Sequence, residues 1–218
     1  MIKPGVAEKI KEFTRNGGIF ITTYFSRIVN ENDLCFMGGF PGPLREILGI
    51  WAEEIECLTD EEAKKIIIEK DNEPDSAKNY EAKIYCDLIH AETAKVLARY
   101  GEDFYCGRPA LTENTFGKGK AYYIAFRNED DFLDDFYDVI VKKSNIKRTI
   151  DTDLPEGVSV MARTDGKSDF VFIMNFENQE KSFRLDEKEY FDMLAEKKVK
   201  DVITMSGYGV KILKRLHK

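Results

Sequence analysis

Two adjacent glycines, Gly17 and Gly18, separate two incompatible residue periodicities. Before them Val6, Ile10 and Phe13 recur at three- and four-residue spacing, which predicts an amphipathic helix over 3–16, with Pro4 in its first turn where a missing N–H costs nothing. After them Ile19-Phe20-Ile21-Thr22-Thr23-Tyr24 is a short apolar, β-branched run, the pattern of a buried strand. Helix, Gly-Gly and buried strand are half of a parallel α/β unit. The strand that should precede the helix has no counterpart before Met1, so residue 1 is expected to fall inside a domain.

From Ser26 to Pro43 the chain is rich in turns: Asn30-Glu31-Asn32-Asp33, then Gly38-Gly39-Phe40-Pro41-Gly42-Pro43. Loops of this length are usually functional or interfacial. A short helix over 43–48 follows. Residues 50–126 read as strands at 50–58, 64–69, 80–89, 94–99, 108–115 and 120–126, with a polar loop at 71–79 and a hairpin at Gly117-Lys118-Gly119. A helix over 129–143 carries acids at its start and Lys142 and Lys143 at its end, both favourable to the macrodipole, and one face groups Phe132, Leu133, Phe136, Tyr137, Ile140 and Val141. Residues 148–157 read as a linker. Short alternating strands follow at 158–163, 170–176, 181–185, 190–194, 199–204 and 208–214. The expected organisation is an α/β domain over 1–149 and a small all-β antiparallel domain over 150–218.

The chain has 218 residues, 43% of them hydrophobic and 33% charged, enough to fill a core and cover it. A net charge of -7 disfavours nucleic acid and anionic membrane surfaces as partners, since both need a surplus of Lys and Arg. No apolar run approaches the roughly 20 residues a membrane span requires. Cys35, Cys57, Cys86 and Cys106 form no C-x-x-C pair, and the two histidines are His90 and His217, so no zinc set is legible and no metal or cofactor is expected. Reduced, mostly buried thiols and the lack of a charged-then-apolar leader or an N-x-S/T signal point to the cytoplasm.

Few residues suggest chemistry. The acidic pairs Glu53-Glu54 and Asp134-Asp135, and the run Asp60-Glu61-Glu62, sit in polar stretches and read as solvated faces rather than as the paired carboxylates of a glycosidase. Cys86 and His90 would lie one turn apart on a helix, with Asp87 as an orienting group. On a strand the same spacing puts them over ~13 Å apart, too far for proton transfer, and the β-rich surroundings favour the strand. No nucleophile elbow or phosphate-binding glycine loop is present, and Lys118 reads as a solvent-facing hairpin tip. The long loop is more informative. Tyr24, Phe25, Arg27, Phe36, Phe40, Pro41, Pro43 and Arg45 give it the composition of an interface, weighed evenly against a loop folded onto its own domain.

The run from Gly17 to Asp33 (GGIFITTYFSRIVNEND), continued by Gly38-Gly39-Phe40-Pro41-Gly42-Pro43-Leu44-Arg45, closely resembles the trimerisation domain of family 42 glycoside hydrolases, the bacterial β-galactosidases. Residues 101–105 (GEDFY), 108–111 (RPAL) and 116–123 (FGKGKAYY) are similar to the same domain, and 170–176 (FVFIMNF) with Gly207-Tyr208-Gly209-Val210 to the small β domain that ends those enzymes. The resemblance implies a partial flavodoxin-like, class I glutamine amidotransferase-like domain missing its first βα units. It implies a homotrimeric parent, whose loops approach the catalytic barrel of the same or a neighbouring subunit. The family's two catalytic glutamates and its cysteine-bound metal lie in a (β/α)₈ barrel that this sequence does not contain, so no catalytic residue carries over. The expected role is a non-catalytic assembly region of an enzyme that hydrolyses terminal β-D-galactosides with retention. Alone, with a sheet edge and an apolar face uncovered, the chain is expected to be poorly soluble or molten. Two other classes stay open. One is a cysteine-dependent amidotransferase-like enzyme using Cys86 and His90. The other is a carbohydrate-binding module stacking sugars on Tyr24, Phe25, Phe40 or Trp51.

Overall fold

The computed structural model describes residues 2–69, 78–186 and 189–216, so most of the polar loop expected at 71–79 lies outside the described residues. The chain divides into two compact units, 1–143 and 144–218.

The first unit contains α1 (Val6–Arg15), β1 (Ile19–Thr23), a 3-10 turn at Gly42–Leu44, α2 (Arg45–Leu48), β2 (Ile50–Cys57), β3 (Lys64–Ile68), β4 (Tyr80–Ala82), β5 (Tyr85–Ala91), β6 (Lys95–Tyr100), β7 (Pro109–Phe116), β8 (Gly119–Ile124) and α3 (Asp130–Lys143). Pro4 lies in the turn that enters α1 rather than within its first turn, and Gly5 holds the cap with φ 79°. Six strands form one sheet in the order β1-β8-β7-β6-β3-β4. β1 runs parallel to β8, with Ile19 opposite Lys120 and Thr23 opposite Ile124. The β8–β7, β7–β6, β6–β3 and β3–β4 pairs are antiparallel. β2 and β5 form a separate antiparallel ribbon. Asp87 N–H donates to the Ala125 carbonyl (2.6 Å) and Arg127 N–H to the Tyr85 carbonyl (2.9 Å), so β5 also runs beside the continuation of β8. The result is a mixed-sheet half-barrel, mostly strand, with β1–β8 as the one parallel pair among the described strands.

β8 is buried on both faces. Tyr122 and Ile124 enter a cluster with Cys86, Tyr100 and Phe126, closed by Phe132, Phe136 and Ile140 of α3. Ala121 and Tyr123 enter a second cluster with Ile47, Leu48, Ile50 and Ile89, which α1 and α2 cover. Continuous hydrophobicity at 121–126 is what such a central strand requires.

Three expectations change. The strand expected at 80–89 is two strands, because Ile84 adopts a left-handed φ of 67° and turns the chain. The face of α3 is narrower than its sequence pattern: Phe132, Phe136 and Ile140 are buried at i, i+4 and i+8, whereas Tyr137 and Val141 are 46% and 37% exposed, one residue further round the helix. The thiols are free, as expected, but Cys86 alone is buried, while Cys35, Cys57 and Cys106 are exposed.

The second unit is wholly antiparallel. β9 (Val158–Thr164), β10 (Ser168–Asn175), β12 (Tyr190–Asp192), β13 (Lys197–Val199) and β15 (Val210–Leu216) form a five-stranded sheet in the order β13-β12-β15-β10-β9; β11 (Lys181–Arg184) and β14 (Val202–Met205) form a ribbon. The segment expected to hold one strand at 199–204 holds β13 and β14, separated by Asp201 at φ 67°. Val171, Ile173, Leu213 and Tyr190 meet Phe183, Leu185, Ile203 and Met205 in one core.

Candidate functional site

The loop from Tyr24 to Arg45 leaves the C-terminal end of β1, beside the end of β8. Its start is fixed from beneath. Asp87, on β5 and 1% exposed, accepts through Oδ2 from the Phe25 N–H (3.0 Å) and from the Tyr123 hydroxyl (2.5 Å). Burial pushes the Asp87 carboxyl up to about 6, against the pull of the Tyr123 and Phe25 donors, which favour its charged form. Burial also drives the Tyr123 phenol well above its usual range. The Thr22 and Ser26 hydroxyls are 2.7 Å apart and bridge the same bend. Phe25 and Arg27 take left-handed φ values of 59° and 62°.

The loop is folded rather than extended. Val29 and Cys35 form a β-bridge, and Asn30 Oδ1 accepts from the N–H groups of Asn32 (2.9 Å) and Leu34 (3.1 Å). Phe40 bridges to Ala52, whose N–H donates to the Phe40 carbonyl (2.8 Å). Gly42 is required: at φ 54° a side chain is disfavoured, and a Cβ would stand 2.6 Å from the Phe36 ring. Arg45 closes the loop with a bidentate pair to Glu92, Nε to Oε2 at 2.9 Å and Nη2 to Oε1 at 2.5 Å.

The eight loop residues expected at an interface separate into three groups. Tyr24 and Phe25 rest on Tyr85, ring centroids 5.7 and 5.6 Å away, and Phe25 keeps its outer side exposed. Phe40 packs on the second core cluster, Arg45 pairs with Glu92, Pro41 is buried after a cis peptide, Phe36 lies over Gly42 of the loop itself and Pro43 is half-buried. Arg27 turns inward: it is 5% exposed, and among the described residues its guanidinium nitrogens have no hydrogen-bond partner. Burial lowers it to about 10, partly offset by Glu8. Sequence composition missed Leu34 and Met37, both exposed at the outer end of the loop, Met37 at 98%. Neither has a periodic neighbour that would have marked it.

The residues of the two other readings are not arranged for chemistry. Cys86 is buried and its thiol is pushed up to about 11 by burial, so little thiolate forms near neutrality. His90 lies four residues along the same strand and stacks face to face on Trp51, its cross-strand partner, at 4.3 Å and 3°. Its Nε2 is 2.7 Å from Glu53 and 2.8 Å from Arg108 Nη1, and can serve only one of them at a time: as N–H toward the carboxylate, or as lone pair toward the guanidinium. Trp51 is therefore occupied by His90, with Arg45 6.0 Å from its ring centroid, and Phe40 packs onto the core. Glu53, Glu54, Asp60, Glu61, Glu62 and Asp134 are exposed; Asp135 binds Lys78 and the Tyr80 hydroxyl. Lys118 is exposed at its hairpin tip. Among the described residues no three His, Cys, Asp or Glu side chains converge as a metal-ligand set, and no helix is long and apolar enough to cross a membrane.

What the two units are is decided by likeness to known proteins. Residues 1–147 match the model of the β-galactosidase trimerisation domain of glycoside hydrolase family 42, and residues 157–215 match the model of that family's C-terminal domain. The chain belongs to the family 42 β-galactosidases. It is 51% identical over 215 residues to β-galactosidase Pbg of Clostridium perfringens and 44% identical over 215 residues to β-galactosidase BglY of Alicyclobacillus acidocaldarius, covering 99% of this chain in each case. It spans 31% of the length of each of these two relatives. Among solved structures, the β-galactosidase from Bacillus circulans sp. alkalophilus superposes with a TM-score of 0.86 at 40% identity, over 99% of this chain and 31% of that one. The cold-adapted β-galactosidase from Rahnella sp. R3 gives 0.82 at 44% identity, over 100% and 31%. The family's trimerisation and C-terminal domains are what the chain contains, and its catalytic barrel is not among them.

Proposed function

We propose that this chain holds protomers together in a homotrimeric β-galactosidase and does no chemistry itself. The parent reaction is retaining hydrolysis of terminal β-D-galactosides, carried out in a barrel outside these residues. The loop from Tyr24 to Arg45 is the interface element: its base is locked by Asp87 and Arg45, while Phe25, Leu34 and Met37 stay outside. It projects toward the barrel of the same or a neighbouring subunit in the cytoplasmic enzyme. The parallel β1–β8 pair, covered by α1, is the part of a flavodoxin-like domain that these residues retain.

The observation that carries this reading is an apolar loop tip on a rigid base. Free surface loops normally shed such residues, and interfaces bury them. Purified chain is expected to associate, to lose that association on Met37→Asp with Leu34→Asp, and to leave a chromogenic β-galactoside intact. Turnover of that substrate by clean protein, or a strictly monomeric chain at micromolar concentration, contradicts the reading.

A further inference from the structure

The sheet of the second unit has one face in the core, through Val171, Ile173 and Leu213, and therefore turns the alternate positions outward. Register places those outward residues in rows across the strands. Arg163 lies opposite Phe170, Phe170 opposite Lys214, Lys214 opposite Phe191, and Phe191 opposite Lys198. The neighbouring row runs Met161, Phe172, Ile212. Cations thus alternate with aromatic rings, and Lys214 Nζ stands 5.6 Å from the Phe170 ring centroid. No Asp or Glu occupies an outward position of these strands. Carboxylates lie at the rim: Asp165 in the β9–β10 turn, held there by the N–H groups of Lys167 (2.8 Å) and Ser168 (2.7 Å), and the exposed Glu189 and Glu196 just before β12 and β13. Met, Phe and Arg are the residue types enriched in protein-binding cores, and Lys198 and Lys214 add a positive charge that an acidic partner would match.

A surface of the opposite character lies on α3. Asp130, Asp134, Tyr137, Asp138 and Val141 are exposed and fall at i, i+4, i+7, i+8 and i+11, a single stripe of three carboxylates and two apolar groups; Asp138 also reaches Lys142 on its own helix at 2.6 Å. The imbalance extends beyond the stripe. Residues 1–143 carry 27 acids against 19 Lys and Arg, whereas 144–218 carry 13 against 14. The 14-residue helix is about 21 Å long, and five strands span about 19 Å, so the two surfaces match in length.

We propose that the α3 stripe of one copy docks on the outward β9-β10-β15-β12-β13 face of a second copy. The inference rests on the homotrimer reading and supplies what a three-fold ring requires: two different, mutually complementary patches on one chain, since a ring is closed by heterologous contacts. It also accounts for Tyr137 and Val141, apolar residues that α3 does not bury in its own domain.

Reciprocal charge exchange in the 218-residue chain tests it, read by sedimentation velocity with circular dichroism as the check on folding. Lys214→Glu and Asp134→Lys are each expected to weaken association by at least about tenfold, and the double variant to recover much of that loss. If Lys214→Glu perturbs folding, Lys198→Glu on the short edge strand β13 takes its place. A wild-type trimer that tolerates each single change and gains nothing from the double overturns this contact and leaves the assembly reading intact. A wild-type monomer overturns both.

Discussion

Asp87 shows how far one residue's role depends on its fold. In the sequence it stands beside Cys86 and three residues before His90, the position of an orienting group in a catalytic set. In the structure it is a buried pin beneath the Tyr24–Arg45 loop, reached by Phe25 from 62 residues away. Its carboxyl titrates near 6, against about 4 in an unfolded chain. The native state therefore binds more protons between those values. This contribution to stability is full below about pH 4 and is lost as pH rises through 6, by at most about 3 kcal/mol. Asp87→Asn keeps an acceptor for Phe25 and Tyr123 and cannot ionise. Urea unfolding at a series of pH values is expected to show the variant gaining on the parent by about 2–3 kcal/mol between pH 4 and 7. Equal pH slopes for the two proteins count against Asp87 as the group responsible. Gly49 makes a second residue-scale case. At φ 62° its Cβ would lie 2.4 Å from Thr93 Oγ1 and 2.9 Å from the Ala94 nitrogen, and its carbonyl accepts the N–H groups of Glu92, Thr93 and Ala94. Gly49→Ala is expected to cost roughly 2–4 kcal/mol, read by thermal or urea denaturation.

At the scale of elements, what the sequence showed followed from period and punctuation. Alternation and glycine pairs placed β1, β2, β3, β6, β7, β8 and most of the second unit within a few residues, because each strand's hydrophobic pattern is set by the faces it buries. The errors have local causes. Nothing in Lys83-Ile84 announces a left-handed isoleucine, so 80–89 read as one strand. The face of α3 read too broadly because Tyr137 and Val141 are apolar, and a single sequence cannot tell a residue that faces its own core from one that faces another surface. The loop was legible as an interface composition but not as a structure. Arg27, an expected contact residue, turns inward, whereas Leu34 and Met37 carry the exposed apolar area. Those assignments follow from the anchors at Asp87, on β5, and Glu92, in the bend that follows it, both far along the chain.

At the scale of the molecule, whether the chain alone is molten is read by the cooperativity of its thermal melt, and the packing bears on what such a melt would report. The half-barrel has two core clusters, one closed by α3 and the other by α1 and α2, so the apolar faces of β8 are covered within the unit. What β1 leaves open is a sheet edge, which favours association over loss of packing. Family membership was legible because the motifs at 17–45 and 101–123 are long and ordered. The charge imbalance between the two units, by contrast, acquires meaning only when register shows which residues share a face.

Cys86 offers a clock for opening of the fold. It is enclosed by the cluster that α3 seals, whereas Cys35, Cys57 and Cys106 face outward. A colorimetric disulfide reagent is therefore expected to titrate three sulfhydryls promptly and the fourth only as fast as the half-barrel breathes, so that the slow phase reports the free energy of that opening in native buffer. Four equally prompt thiols would show that the seal is not closed.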